Sequence, residues 1–350
     1  MEQVSYGVIG SGFMGGVLAR TASQLGYARC VGAADTDLDH AQALAQALGC
    51  KAYTSIEQML AREKPAAVII ATPEDSHCEP ALAAAAHGCH IFMEKPLATS
   101  LADADRILEA CAHHRVKLMM GHLLRFEINY AMIESAIREG EIGRFLSAYA
   151  RRVAPISEAR RLGGRVSPVT YIGVHDIDQM LWYHPQPVRS VVARAVRGRV
   201  WDELHTFDSA WITLEFADGA LGIQEVGWCL PEGWAGWNTP ASWGGFGDVC
   251  MNVLGTEGVL NLNFTPMNLV ACTRDGWKLP DTRHWPKMDG EYVGAVKQEM
   301  EHFFGCILND HQPRVGGMDG RRAVEVMLAA ELSIAEDRIV RLPLVQGVVS

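Results

Sequence analysis

The chain reads as an α/β protein in which a parallel sheet flanked by helices is followed by an antiparallel one. Three observations predict this. Residues 4–35 run as a strand, a glycine turn, a helix and a second strand ending on an acid. Short β-rich runs then alternate with helical stretches as far as residue 121, the signature of a parallel sheet with helices on its faces. Beyond Arg144 the strands lengthen and are joined by hairpin signals. Two domains are therefore expected, 1–121 and 122–350.

Val4 to Ile9 is an apolar run of strand length, followed by Gly10, Ser11, Gly12, Phe13, Met14 and Gly15. This fits the spaced-glycine turn that holds a dinucleotide. Gly10 would allow the tight turn, Gly12 would let the backbone approach a pyrophosphate, and Gly15 would let helix and strand pack closely. The phosphates would sit at the helix N-terminus, where unpaired N–H groups favour negative charge. The second strand, Cys30 to Ala34, ends at Asp35, about twenty residues past the turn. A carboxylate there accepts hydrogen bonds from the adenosine ribose and repels a 2′-phosphate. Thr36 and Asp37 follow with no arginine nearby, so NAD is expected over NADP. The alternative is Asp35 as a turn residue or helix cap.

The remaining elements follow in order. Asp39 to Leu48 is a helix closed by Gly49, and Ala67 to Ala71 a buried strand. Ser76 to His87 is a helix with Glu79 three residues after a Ser76 cap and Gly88 behind it. Cys89 to Met93 and Val116 to Met120 are strands on either side of a helix, Ser100 to His113. In the second half Ala217-Asp218-Gly219 joins Ala210–Phe216 to Leu221–Val226, and Gly255-Thr256-Glu257-Gly258 joins two further strands. Helical stretches near Glu291–Leu308 and Asp319–Ala335 close the chain, and the latter could pack back on the first domain.

Hydrophobic content of 49% supports a sizeable core in 350 residues. A formal charge of −10 argues against nucleic acid or an anionic membrane as main partner and leaves a small solute. Nine cysteines without a Cys-x-x-Cys pair suggest neither a disulfide framework nor a zinc site, and fit buried thiols in a reducing cytoplasm. The first strand starts within four residues of Met1, and no apolar run nears membrane-spanning length, so a cytoplasmic protein is expected.

Glu94-Lys95-Pro96 directly follows the fifth strand, and open parallel sheets bind ligands at strand C-terminal ends. Lys95 is thus placed to hydrogen-bond a substrate hydroxyl and stabilise the alkoxide that develops as hydride leaves. The other reading is a surface lysine held by Glu94. Farther on, Tyr171, His175, Asp178 and Trp182 are spaced four, three and four apart on a helix expected over Val169–Tyr183, and so share a face. His175 could take the hydroxyl proton. No companions stand at metal-ligand spacing, so no metal is expected.

The glycine turn, Ala71-Thr72-Pro73 with His77, Glu94-Lys95-Pro96, Gly121-His122 with Arg125-Phe126, and Gly173 to Trp182 together resemble the Gfo/Idh/MocA oxidoreductases, in order and over almost the whole chain. The resemblance implies a Rossmann domain joined to an α/β domain with a large open, mostly antiparallel sheet, whose exposed face forms homodimers or homotetramers. It implies oxidation or reduction of secondary alcohols of sugars and inositols. Lys95 would orient substrate, Pro96 would follow a cis peptide and His175 would be the acid/base. Ala71, Thr72, Pro73, His77 and Glu94 would line the cofactor. Arg125, Arg152 and Asp176 would lie around the substrate.

One position departs from the pattern. Members that dehydrogenate inositol commonly carry an aspartate four residues before the histidine, where this chain has Tyr171. Without that carboxylate the imidazolium loses an opposite charge and its pKa should fall relative to those members. Tyr171 would then bind substrate or join the proton path, with Asp176 or Asp178 orienting the histidine. Two rival readings remain: a redox glycosidase, in which transient oxidation permits elimination and the same cofactor returns the hydride, and a non-catalytic NAD sensor. The tryptophan-rich stretch Pro231–Gly247 is a candidate lid or subunit contact.

Overall fold

The computed structural model describes residues 3–232, 247–264, 271–273, 276–278 and 281–344. The chain divides into two compact units, Met1–Glu127 with Arg283–Val324, and Ile128–Thr282 with Glu325–Ser350.

The first unit opens with β1 (Val4–Ile9), α1 (Phe13–Ser23), β2 (Ala28–Ala34), α2 (Leu38–Leu48), β3 (Lys51–Tyr53), α3 (Ile56–Glu63), β4 (Ala67–Ile70), α4 (Cys78–Ala86), β5 (His90–Glu94), α5 (Leu101–His114) and β6 (Leu118–Gly121). The six strands form one sheet in the order β3-β2-β1-β4-β5-β6, every pair parallel. The order reverses between β1 and β4, the switch point at which such sheets bind ligands. Local chemistry sets the helix ends. The Asp37 side chain accepts from Asp39 N at 2.9 Å to start α2, which Gly49 closes at φ 67°. Ser100 does the same for α5, accepting from Asp103 N at 3.1 Å while its hydroxyl donates to the Asp103 carboxylate at 2.9 Å. The helix expected from Ser76 begins instead at Cys78, behind a 3-10 turn over Glu74–Ser76. The Ser76 hydroxyl donates to Asp75 and its carbonyl accepts from Thr72 Oγ1, so the serine closes a turn and caps nothing.

The second unit carries α6 (Ile128–Arg138), β7 (Phe145–Pro155), α7 (Ile156–Leu162), a π-helical turn over Val169–Gly173, α8 (Val174–Tyr183), β8 (Val188–Val196), α9 (Arg199–Leu204), β9 (Ser209–Phe216), β10 (Leu221–Leu230), β11 (Asp248–Gly255), β12 (Val259–Asn263) and a small pair, β13 (Ala271–Thr273) with β14 (Gly276–Lys278). The chain continues through β15 (Lys287–Met288), β16 (Glu291–Tyr292), α10 (Ala295–Leu308), α11 (Gly317–Glu336) and β17 (Val340–Arg341). Seven strands form the large sheet, in the order β12-β11-β7-β10-β9-β8-β17. Only β7 and β10 run parallel within it. Both expected hairpins are present, β9–β10 and β11–β12. Alternation along β9 buries Ala210, Ile212, Leu214 and Phe216 and leaves Trp211, Thr213 and Glu215 outward.

In the first unit α10 packs two phenylalanines against the sheet. Phe303 meets Phe92 edge-on at 5.7 Å between ring centres, and Phe304 meets Tyr6 at 5.3 Å, all four buried. The Tyr6 hydroxyl stays satisfied by donating to Ala19 O at 2.7 Å.

Candidate functional site

In the first unit the glycine turn links β1 to α1. Gly10 takes φ +88°, and a Cβ there would lie 2.6 Å from the Ala71 carbonyl group at the end of β4. A Cβ on Gly15 would fall 1.9 Å from Gly10 O, so the helix can approach the turn only without one. Gly12, the N-cap of α1, faces open space with no atom within 4 Å of a would-be Cβ. That opening, in front of the unpaired N–H groups of α1, fits a pyrophosphate. Phe13 and Met14 begin the helix, Phe13 exposed and edge-on to Trp285 at 6.1 Å.

Asp35 leaves the end of β2 half-buried, with Thr36 exposed beside it. Its Oδ2 accepts from Ser11 N at 2.7 Å and Oδ1 from Asp37 N at 2.9 Å. Those two bonds fix the carboxylate against the glycine turn and leave lone pairs for a diol, since an ionised carboxylate has about four acceptor sites.

The loops after β4 and β5 are tied together by His77. The ring is 1% exposed, with Nδ1 2.8 Å from Pro96 O and Nε2 3.1 Å from Thr72 O. Burial pushes its pKa down. His77 thus braces the loops that carry Ala71, Thr72, Pro73 and Lys95 and presents little surface of its own. The Lys95–Pro96 peptide is cis. Lys95 is half-buried, and its backbone N–H donates to Glu94 Oε2 at 3.1 Å. Burial raises the Glu94 pKa while Lys95 opposes the shift. Near it stands Glu299 of α10, 1% exposed and pushed well above the usual carboxyl range by burial first and by Glu94 second. Glu299 belongs to no motif in the sequence. Its signal was a charged residue on the stripe Val296, Met300, Phe303. Arg125 is also interior, 4% exposed and 3.3 Å from the Asp319 carboxylate.

In the second unit the helix expected over Val169–Tyr183 is two pieces, the π-helical turn and α8. Tyr171 lies on the turn and His175 at the start of α8, both half-buried, as is Trp182. Asp178 on the same stretch is 1% exposed. Arg152 and Asp176 depart from the position the resemblance implied. Asp176 is fully buried and accepts from Arg152 Nε at 2.8 Å and Nη2 at 2.7 Å. Arg152, 2% exposed, also donates to the Tyr130 hydroxyl at 3.0 Å. The guanidinium fork matches the carboxylate, so the pair is satisfied inside the unit and offers a ligand little surface. Tyr171 accepts a 2.7 Å bond from Arg161 Nη2, a partner that spacing alone could not reveal.

No group of three or more potential metal ligands is found among the described residues. Nor, among them, is any helix long and apolar enough to cross a membrane. Of the tryptophan-rich stretch Pro231–Gly247, residues 233–246 lie outside the described residues.

Two family models match this chain. Residues 4–122 match the oxidoreductase family with an NAD-binding Rossmann fold, and residues 130–261 match the GFO/IDH/MocA C-terminal domain. The chain belongs to the Gfo/Idh/MocA oxidoreductase family. It is therefore an NAD-binding oxidoreductase, with the dinucleotide turn in its first unit. Among curated relatives of this Gfo/Idh/MocA member, inositol 2-dehydrogenase of Rhizobium meliloti (strain 1021) is 28% identical over 346 residues, 96% of this chain and 98% of that one. A 2,7-anhydro-N-acetylneuraminate hydratase of Mediterraneibacter gnavus is 28% identical over 236 residues, 65% of this chain and 62% of the relative. The fold matches that of scyllo-inositol dehydrogenase from Lactobacillus casei, solved with NAD(H) and scyllo-inositol, at a TM-score of 0.82 and 19% identity, covering 97% and 99% of the two chains.

Proposed function

We propose that this protein is an NAD-dependent dehydrogenase of a secondary alcohol on a sugar, sugar derivative or inositol. The observation that carries the reading is the end-to-end likeness to an inositol 2-dehydrogenase, together with Lys95 after β5 and His175 at the start of α8. Gly12 and the N-terminus of α1 would receive the pyrophosphate, Asp35 the adenosine ribose, and Thr72 and Pro73 the nicotinamide side. NAD, when bound, supplies the hydride acceptor. Lys95 donates a hydrogen bond to the reacting hydroxyl and stabilises negative charge as it develops on that oxygen. His175 accepts the hydroxyl proton, and Tyr171, on the preceding turn, binds a neighbouring substrate group.

An NADH absorbance screen against sugars, sugar acids, glycosides and inositols tests this. At least one compound should give NADH in proportion to product, and Lys95→Met and His175→Ala should each lower turnover by about 10²–10⁴. Silence across the panel with tight NAD binding would overturn the reading and favour a sensor. In parallel, Asp35→Ser should move the NADP to NAD preference toward NADP by tenfold or more, about 1.4 kcal/mol; an unchanged ratio would remove Asp35 from the adenosine site.

The likeness to a hydratase of an anhydro sugar favours a second reading, the redox glycosidase. There the same lysine and histidine would handle the hydroxyl proton in a transient oxidation that acidifies the neighbouring C–H and permits elimination. Such an enzyme consumes a glycoside or anhydro sugar without net NADH, and the same screen separates the two.

A further inference from the structure

We propose that Arg161 is a positioning residue of this reaction site, and that it sets the direction in which the Tyr171 hydroxyl donates its hydrogen. The inference rests on the proposed function, which puts Tyr171 and His175 on one substrate.

Arg161 lies in the last turn of α7, and Nη2 reaches the Tyr171 oxygen at 2.7 Å with the guanidinium carbon 5.6 Å from the ring centre. A guanidinium can only donate. The phenol oxygen is therefore the acceptor in this bond, and of its two in-plane directions the one facing α7 is taken. The Tyr171 hydrogen must point along the other, away from Arg161. Tyr171 and His175 are four residues apart on consecutive turns, which keeps them on neighbouring faces of the helical stretch.

The arginine is itself held. Glu158, 3% exposed, accepts from Arg161 Nε at 3.1 Å and from Nη2 at 2.9 Å. Both bonds end on one carboxylate oxygen, so the fork cannot swing without breaking them. The turn that carries Tyr171 is pinned as well. Glu331 accepts from the hydroxyls of Ser167 and Thr170, and Gln224 donates to Gly173 O at 2.9 Å. The Tyr171 ring also leans on Trp228, which is fully buried, at 6.4 Å between centres. A π-helical turn costs regular helix hydrogen bonding and recurs at functional sites.

A stability role accounts for this poorly. The Arg161 side chain is 39% exposed and Tyr171 is half-buried, so the bond closes no core and contributes little, as exposed charged pairs generally do. What the arrangement does provide is a single fixed orientation for one phenol. Lysine could not replace it, because an ammonium lacks the planar fork that meets Glu158 and Tyr171 together.

The test is a double-mutant cycle in kcat on the panel compound that reduces NAD fastest, with melting temperature and NAD affinity measured alongside. Arg161→Met should lower kcat about tenfold with NAD affinity unchanged, should lower the melting temperature because the buried Glu158 loses its cation, and should have no further effect on kcat once Tyr171→Phe is present. Arg161→Lys, which keeps a cation against Glu158 should the methionine variant fold poorly, should restore melting temperature but not kcat. The proposal is overturned if Arg161→Met costs as much in the Tyr171→Phe background, or costs nothing while His175→Ala abolishes turnover. In that last case the dehydrogenase reading survives. If His175→Ala is also fully active, both fall.

Discussion

Glu299 is a carboxyl on a helix face that otherwise meets the core through Val296, Met300 and Phe303, and its Oε1 has no hydrogen-bond partner among the described residues. Burial, and then the neighbouring Glu94, raise its pKa well above the ordinary value. The sign of the consequence follows from linkage. Above the unfolded pKa of about 4.3 the unfolded chain has released a proton that the folded protein still holds, so stability falls as pH rises from there toward the raised folded value. Glu299→Gln keeps the shape and removes the proton. It should raise the melting temperature at about pH 8 and leave it nearly unchanged at about pH 4, so that the melting curve against pH flattens. Parallel curves for the two proteins would show that Glu299 ionises freely. The glycine turn and Asp35 could be read at this scale because their demands are local, a positive φ at Gly10 and a close approach at Gly15. The burial of Glu299 depends on how α10 is rotated against the sheet, which a stripe broken by one acid leaves open.

Among elements, β7, α8 and β10 are joined by a buried polar network. Arg152 projects from β7 to Asp176 of α8, and Gln224 of β10 donates to Gly173 O at 2.9 Å and to Asp176 Oδ2 at 3.3 Å. Removing one member of a buried ion pair leaves the other charge uncompensated and costs about 3–5 kcal/mol, whereas replacing both with apolar groups of similar volume can be neutral. Asp176→Leu should therefore lower the unfolding free energy by about that amount, and Arg152→Met combined with Asp176→Leu should recover most of it in denaturant titration. Equal loss in the single and double variants would mean that the pair carries no mutual charge compensation. Hairpins were legible here because turn residues act over four positions, as in Ala217-Asp218-Gly219. The inward course of Arg152 was not, because two consecutive arginines give no apolar–polar contrast, and it is the burial of Ala148 and Ala150 on the same face that carries on to Arg152 and leaves Arg151 outward. The π-helical turn escaped for a related reason: Val169–Gly173 keeps a helical spacing, and its widening depends on contacts made by Glu331, Gln224 and Arg161.

At the scale of the whole molecule, the seven-stranded sheet has two unlike faces. One is packed with Ala148, Ala150, Ile212, Leu214, Val249 and Met251, all buried. The opposite face carries Trp211 at 47% exposure, Leu254 at 45% and Val259 at 58%, on strands β9, β11 and β12. Charges on it are already neutralised in the plane of the sheet, since Arg151 meets Glu225 at 3.2 Å and Asp248 at 2.7 Å, and the Tyr149 hydroxyl donates to Glu225 at 3.1 Å. Such a face can be covered without stranding an ion, and apolar patches of this kind mark association sites on proteins that otherwise keep charge outward. A second copy of the chain is the occupant that the family resemblance implies. Trp211→Glu places one like charge per copy on that face. It should lower the mass seen by light scattering toward that of one 38.3 kDa chain, with the melting temperature falling at low protein concentration because dissociation and unfolding become linked. The NAD affinity of the first unit should stay as it was, because the glycine turn and Asp35 belong to a different sheet. An unchanged mass in the Trp211→Glu variant would show that no second copy is seated on this face.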